Sequence, residues 1–211
     1  MVGNISVNTQ SSIRICAGIT VYFDPLHISG SPKDADFVFI THEHSDHFSP
    51  RDIEKVSSGS TRFLAPKSMR GALRRIGIDD ERAAYLEPGE RTSLPGIDVE
   101  AVAAYNTGKP FHPRKNGWLG YVVTLDGVRI YVCGDTDATD EAKAVRCDII
   151  CVPIGGTFTM NASEAAGLVN AVKPETAIPI HYGSIVGSPS DAEEFERLTD
   201  KGISIVRKLR F

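Results

Sequence analysis

The apolar run Phe37-Val38-Phe39-Ile40 leads straight into Thr41-His42-Glu43-His44-Ser45-Asp46-His47, and no other stretch restricts the chain's possible folds as tightly. Residues 36–41 read as a short buried strand, and α/β sheets carry their sites at such C-terminal strand ends. Three of the chain's six histidines follow. Residues two apart in an extended strand end point the same way, so His42 and His44 can offer two imidazoles to one cation. Asp46 and His47, in the turn beyond, can reach a second. The alternative is a polar loop whose histidines are satisfied by neighbours. It crowds three imidazoles and a carboxylate at a strand terminus with no packing gain, whereas shared cations satisfy all of them.

Around this junction the chain has a regular texture. Short β-rich runs at 5–7, 13–16 and 19–23 predict an opening antiparallel meander, ended by Asp24-Pro25. Ser49-Pro50-Arg51-Asp52 predicts a helix start, with Ser49 as N-cap and Pro50 in the first position. A strand at 61–65, a helix at 68–75 and a strand at 83–86 continue in a β-α-β rhythm. From Arg91 the texture is antiparallel again, with strands at 97–104, 119–125 and 128–133. The last two flank Asp126-Gly127, a hairpin signal. A strand at 148–154 ends in Gly155-Gly156-Thr157, which lacks the spacing and lysine of a phosphate loop and reads as a tight turn, although its backbone amides can face a site. A helix then starts at Asn161, with Glu164 as capping-box partner and Met160 as staple, and runs to Val172. A strand at 177–180, a helix at 191–199 boxed by Ser190 and Glu193, and a strand at 203–206 close the chain. The pattern predicts an α/β fold with mixed sheets, in one domain over 1–211 without linker or repeat.

Two cations need more ligands than one loop offers, so acids and imidazoles should recur at later strand ends. Asp135 meets this requirement, following the strand at 128–133 between Gly134 and Thr136, where its carboxylate can give one oxygen to each ion. A turn-capping aspartate is the alternative. His181 directly follows the strand at 177–180. His27 has no partner at ligand spacing and is read as structural. The four cysteines, Cys16, Cys133, Cys147 and Cys151, form no C-x-x-C pair and are read as buried thiols.

At His42-x-His44-x-Asp46-His47 the chain resembles the metallo-β-lactamase superfamily, whose signature it matches in full. The likeness extends from Asp24-Pro25 through Gly134-Asp135-Thr136 to Ile180-His181-Tyr182-Gly183. It implies a four-layer αββα sandwich, which the strand and helix pattern permits. It also implies that Asp135 is the bridging aspartate, that His181 joins Asp46 and His47 on the second ion, and that Asp24 lies beside the site; for Asp24 a strand-ending turn is the other reading. The chain departs from the pattern at Asn106, where members place the third histidine of the first ion. Either His112 folds back to complete that ion with His42 and His44, or fewer protein ligands hold it. Within the superfamily the chain is most similar to the L-ascorbate-6-phosphate lactonase-like branch of metal-dependent hydrolases.

The net charge of −4 and the lack of long basic runs point to a small-molecule substrate and away from nucleic acid. Residues 1–10 lack the features of a signal peptide, and no apolar stretch reaches membrane-spanning length, so the expectation is a soluble, cytoplasmic protein, with a homo-oligomer left open. Two divalent ions are expected, zinc first, with manganese or iron as alternatives. Asp46 and Asp135 are the candidates for proton transfer. Lys109, Arg114 and Lys115, in the loop that holds His112, can meet an anionic group or form a solvated charge cluster. Asn106 and Tyr182 complete the candidate substrate contacts, with packing as the alternative for Tyr182. The expected activity is hydrolysis of a small anionic ester or lactone, such as a sugar-phosphate lactone. The alternatives are a phosphodiesterase acting on nucleotides or short RNA and a metal-binding regulatory protein without catalysis. Redox members carry glutamate for the second histidine and an added flavin domain; position 44 is His, and the chain has no room for that domain.

Overall fold

The computed structural model describes residues Met1–Phe211 and contains two mixed sheets. In the first, β1 (Ile5–Val7), β2 (Ile13–Ala17) and β3 (Ile19–Phe23) pair antiparallel. The sheet continues in parallel through β4 (Ala35–Phe39), β5 (Ser57–Pro66) and β6 (Ala83–Leu86). The second repeats this plan. β7 (Arg91–Leu94), β8 (Ile97–Ala103), β9 (Leu119–Leu125) and β10 (Val128–Val132) are antiparallel neighbours. To these β11 (Ile149–Pro153), β12 (Thr176–Ile180) and β13 (Ser204–Ile205) add in parallel.

The apolar run before the histidines is explained by burial on both faces of β4. Phe37 and Phe39 enter the core between the sheets with Val21, Phe23 and Tyr121. Val38 and Ile40 point the other way, packing with Ile53, Val56 and Leu73 of α1 (Pro50–Val56) and α2 (Arg70–Arg75). On the second sheet, α4 (Ala162–Val172) and α5 (Asp191–Leu198) contribute Leu168, Val169 and Phe195 to the core, and the short α3 (Asp140–Lys143) adds Ala142. The layers are therefore helix, sheet, sheet, helix, as the resemblance implies.

Local signals explain most element ends. The Ser49 side chain accepts from the Asp52 N–H with Pro50 in the first turn. Asp126 and Gly127 both have left-handed backbone, φ 48° and 77°, which a two-residue hairpin turn requires. Asn161 and Glu164 form both bonds of a capping box, each 2.9 Å. The box expected at Ser190 is absent: Ser190 already has helical φ and ψ, and the Asp191 carboxylate accepts from the Ser188 N–H instead. Helix α3, capped by Thr139, is too short to carry a readable apolar period. Cys133 and Cys151 are buried and Cys147 is partly so, but Cys16 faces outward from β2, against the expectation of buried thiols. No helix is long and apolar enough to cross a membrane.

Because the Asn161 cap satisfies the first turn of the helix that covers the second sheet, Asn161→Ala should cost about 1 kcal/mol. A lower urea midpoint at unchanged slope would register this loss.

Candidate metal centre

The two sheets are pinned together at the end where β4, β10 and β12 terminate. The Leu119 N–H donates to the Thr41 carbonyl at 3.1 Å, and the Tyr121 hydroxyl donates to the Ile40 carbonyl at 2.8 Å. Gly134 passes through this seam with φ +64°; a Cβ there would lie 2.9 Å from the Leu119 oxygen and 3.2 Å from Thr41 Cβ. Only glycine fits, and the next residue, Asp135, is thereby brought against the histidine loop.

Buried acceptors orient the rings. Thr41 donates its N–H and its hydroxyl to Asp24, at 2.8 and 2.6 Å. With its proton so used, the Thr41 hydroxyl oxygen accepts from His42 Nδ1–H at 2.9 Å. Asp24 also accepts from His47 Nδ1–H at 2.7 Å. His112 Nδ1–H donates to Asn106 Oδ1 at 3.1 Å, while the Asn106 amide nitrogen donates to Asp137 and to the Phe158 carbonyl. Each bond places a proton on Nδ1 and turns Nε2 to the centre. Asp24 and His181 hold φ of +45° and +55°, left-handed backbone that non-glycine residues adopt only when their surroundings enforce it.

The donors form three overlapping groups, His42–His44–His112, His42–His47–Asp135 and Asp46–His47–His181, each with its ligand atoms within 4.8 Å of one another. His112 is therefore beside His42 and His44. Asp135 lies between the outer groups, its Oδ1 3.2 Å from His47 Nε2 and its Oδ2 3.3 Å from His112 Nε2 and 3.4 Å from His181 Nε2. Despite these distances, the buried atoms His47 Nε2, His112 Nε2 and Asp135 Oδ1 make no aligned hydrogen bond. Buried ring nitrogens and a carboxylate oxygen that converge without bonding one another fit a cation between them.

Electrostatics agree. Burial, reinforced by the neighbouring His47, drives the His42 pKa well below the usual histidine value, and burial with the facing His112 lowers that of His44. Burial also opposes charge on His47 and on Asp135. The Asp135 and Asp24 carboxylates outweigh it and hold His47 well above the ordinary value. His181 and His47 likewise hold Asp135 well below the carboxylate range. Asp46 is also lowered: hydrogen bonds from His181 and His47 overcome its burial. Burial raises the Asp24 carboxyl, with His47 and Thr41 pulling against it.

The four expected substrate contacts are placed elsewhere. Asn106 is buried and spends its amide on His112, Asp137 and Phe158, so it supports a ring and does not face a ligand. Lys109 is bound by Asp137 at 2.6 Å and by the Thr159 carbonyl at 2.7 Å. Arg114 pairs with Glu141 at 2.5 Å and lies over the Tyr105 ring, in a different cleft. Tyr182 is buried edge-to-face against Phe211. Gly156 donates its N–H to the Met160 carbonyl, consistent with a turn in the Gly-Gly-Thr stretch. His27 lies on the surface and donates its N–H to Asp52. The sequence reading missed Asp137 and Trp118, whose ring lies 5.0, 4.9 and 5.4 Å from those of His42, His44 and His112. Asp137, two residues past Asp135, was the one visible signal.

Two sandwiched mixed sheets with histidines and carboxylates gathered at one end are the architecture of a metal-site fold, and comparison with known proteins names it. The family model described as Beta-lactamase superfamily domain matches residues 6–181, and the chain belongs to the metallo-β-lactamase superfamily. A UPF0173 metal-dependent hydrolase of Thermococcus kodakarensis is 30% identical over 199 residues, covering 88% of this chain and 87% of that protein. A structure described as a metal-dependent hydrolase, from Parabacteroides distasonis, has a TM-score of 0.82 at 29% identity, covering 98% of this chain and 93% of its own. Igni18, a metallo hydrolase of Ignicoccus hospitalis, has a TM-score of 0.76 at 18% identity over 98% and 95%, a likeness of fold.

Asn106→Ala removes the acceptor that sets the His112 ring. It should weaken metal binding by about 10- to 100-fold while the circular dichroism stays native. Trp118, the only tryptophan, provides the readout through its fluorescence during a metal titration.

Proposed function

We propose that this chain is a hydrolase that uses two divalent cations to turn water on the carbonyl of a small ester or lactone. The observation that carries the reading is the set of buried, converging and unpartnered atoms His47 Nε2, His112 Nε2 and Asp135 Oδ1. In this reading His42, His44 and His112 hold one ion, Asp46, His47 and His181 hold the other, and Asp135 reaches both. Imidazole and carboxylate donors suit zinc first, then manganese or iron. Ions held by these residues would lower the pKa of a bound water and draw electron density from the carbonyl oxygen.

The chain's own residues set the geometry for that chemistry. Asp24 and Asn106 fix His47 and His112, so these rings need no reorganisation during reaction. Asp46 directs Oδ2 at His47 and His181, leaving Oδ1 to pass a proton to the leaving alkoxide. One water is consumed: a bond forms from its oxygen to the carbonyl carbon, the ester or ring C–O bond breaks, and an acid and an alcohol result. Relatives described as metal-dependent hydrolases support this class of reaction. The likeness to the lactonase-like branch supports ring opening. Its phosphate finds no support here, because Lys109 and Arg114 are committed to Asp137 and Glu141.

With zinc or manganese, the protein should open γ-lactones faster than it cleaves bis(p-nitrophenyl) phosphate. His42→Ala and Asp135→Ala should each reduce that rate about a thousandfold or more. Faster diester cleavage would replace this reading with a phosphodiesterase, and tight metal binding without turnover of either would indicate a non-catalytic protein.

Metal affinity should also depend on pH in a known direction. The carboxylates that raise the His47 pKa keep a proton on the ion-free ring, and an ion that takes Nε2 displaces it. Affinity should therefore fall about tenfold for each pH unit as the solution is acidified. Zinc calorimetry in buffers of different ionisation enthalpy measures this, and binding without proton release would remove His47 from the ligand set.

A further inference from the structure

We infer that the substrate carries an uncharged, apolar arm, which lies between Phe111, Phe158 and Ile185 while its carbonyl sits over Asp46, His112 and Asp135. This rests on the hydrolase reading above and names its substrate class. These residues line one pocket of about 360 Å³, within the size range of small-molecule sites.

The rim departs from an ordinary surface. Only three large apolar side chains of the whole chain are exposed: Phe111 at 41%, Ile185 at 54% and Phe211 at 65%. Two of the three stand on this rim, so most of the exposed bulky apolar surface is gathered over the metal-site residues. Phe111 is not loose there. Its ring meets Phe158 edge-to-face at 4.8 Å and 87°, making a wall of two aromatic rings. That wall is tied to the floor. The Phe158 carbonyl accepts from the Asn106 amide, whose oxygen orients His112, the residue next to Phe111.

The lining offers no side-chain cation to an anionic arm. None of the pocket's lining residues is lysine or arginine. Lys109 and Arg114 are held in ion pairs, and Lys115 is exposed without lining the pocket. A phosphate on the arm would lose water against Phe111, Phe158 and Ile185 with no lysine or arginine beside it in return. An alkyl or aryl group gains by the same contact.

The test is a series of γ-lactones bearing hydrogen, propyl, hexyl or a phosphomethyl group, assayed with the zinc-loaded protein. The hexyl lactone should exceed the unsubstituted one in kcat/KM by about tenfold or more, and the phosphorylated one should be the poorest. In Phe111→Ser and Ile185→Ser, the hexyl-to-hydrogen ratio of kcat/KM should fall towards one. Preference for the phosphorylated lactone, or a ratio that both substitutions leave unchanged, would overturn the inference and leave the hydrolase reading standing. A non-hydrolysable hexyl lactam separates the two ideas further. If it binds more tightly than the unsubstituted lactam, by calorimetry, while no lactone turns over, the apolar arm site is supported and the hydrolase reading fails. Equal binding of both lactams would overturn the arm site.

Discussion

One buried carboxylate, Asp24, sets the arrangement on which the rest of the site depends. It accepts the N–H and hydroxyl of Thr41 and the Nδ1–H of His47, and it is wholly buried. Hydrogen bonds to an ionised acceptor contribute about 1.5–3 kcal/mol each when all partners are present, and leaving one partner buried and unbonded costs a comparable amount. Asp24 therefore commits the start of the histidine loop to one conformation. Because Thr41 also accepts from Leu119 of the other sheet, that conformation fixes how the sheets meet. The left-handed backbone at Asp24 is the local cost of turning the carboxylate inward.

A similar division of labour governs the opposite side of the centre. Asn106 stands where the family pattern has histidine, yet the first group still has three imidazoles, because His112 comes in from the following loop. A side-chain amide is a poor ligand for zinc but suits the supporting role: its oxygen accepts from one ring nitrogen while its nitrogen donates elsewhere. Asp137 then joins this amide to Lys109, so the loop is held at two points ahead of His112.

How much of this was legible in the sequence depends on the range of the interaction. The strand before His42, the Asp126-Gly127 hairpin and the Asn161 box were readable because each is decided by residues a few positions apart. Asp135 and His181 were readable because strand ends are where such groups gather. The partners of Lys109 and Arg114 were not readable, because the acids that pair with them, Asp137 and Glu141, lie 28 and 27 residues along the chain. Ser190 failed for a local reason: the neighbouring Asp191 competes for the same end of the helix, and spacing alone does not say which side chain wins. The rim could not be read either. Phe111, Phe158 and Ile185 come from three separate loops, and an isolated apolar residue in a loop has no periodicity to reveal it.

The Phe158 carbonyl gives this geometry a further consequence. It accepts from the same Asn106 amide whose oxygen orients His112, so an apolar wall and a metal-site ring share one support. Packed polar networks of this kind hold discrete arrangements and do not deform continuously. Loss of the Phe158 carbonyl from this network would therefore remove one support of the amide that orients His112, the ring that Asp135 Oδ2 faces at 3.3 Å. The opposite group lacks such a link: His47 takes its orientation from Asp24, deep in the seam between the sheets and far from the rim in its bonding. His47 and His112 thus differ in what supports them, one tied to the core and the other to the mouth of the pocket.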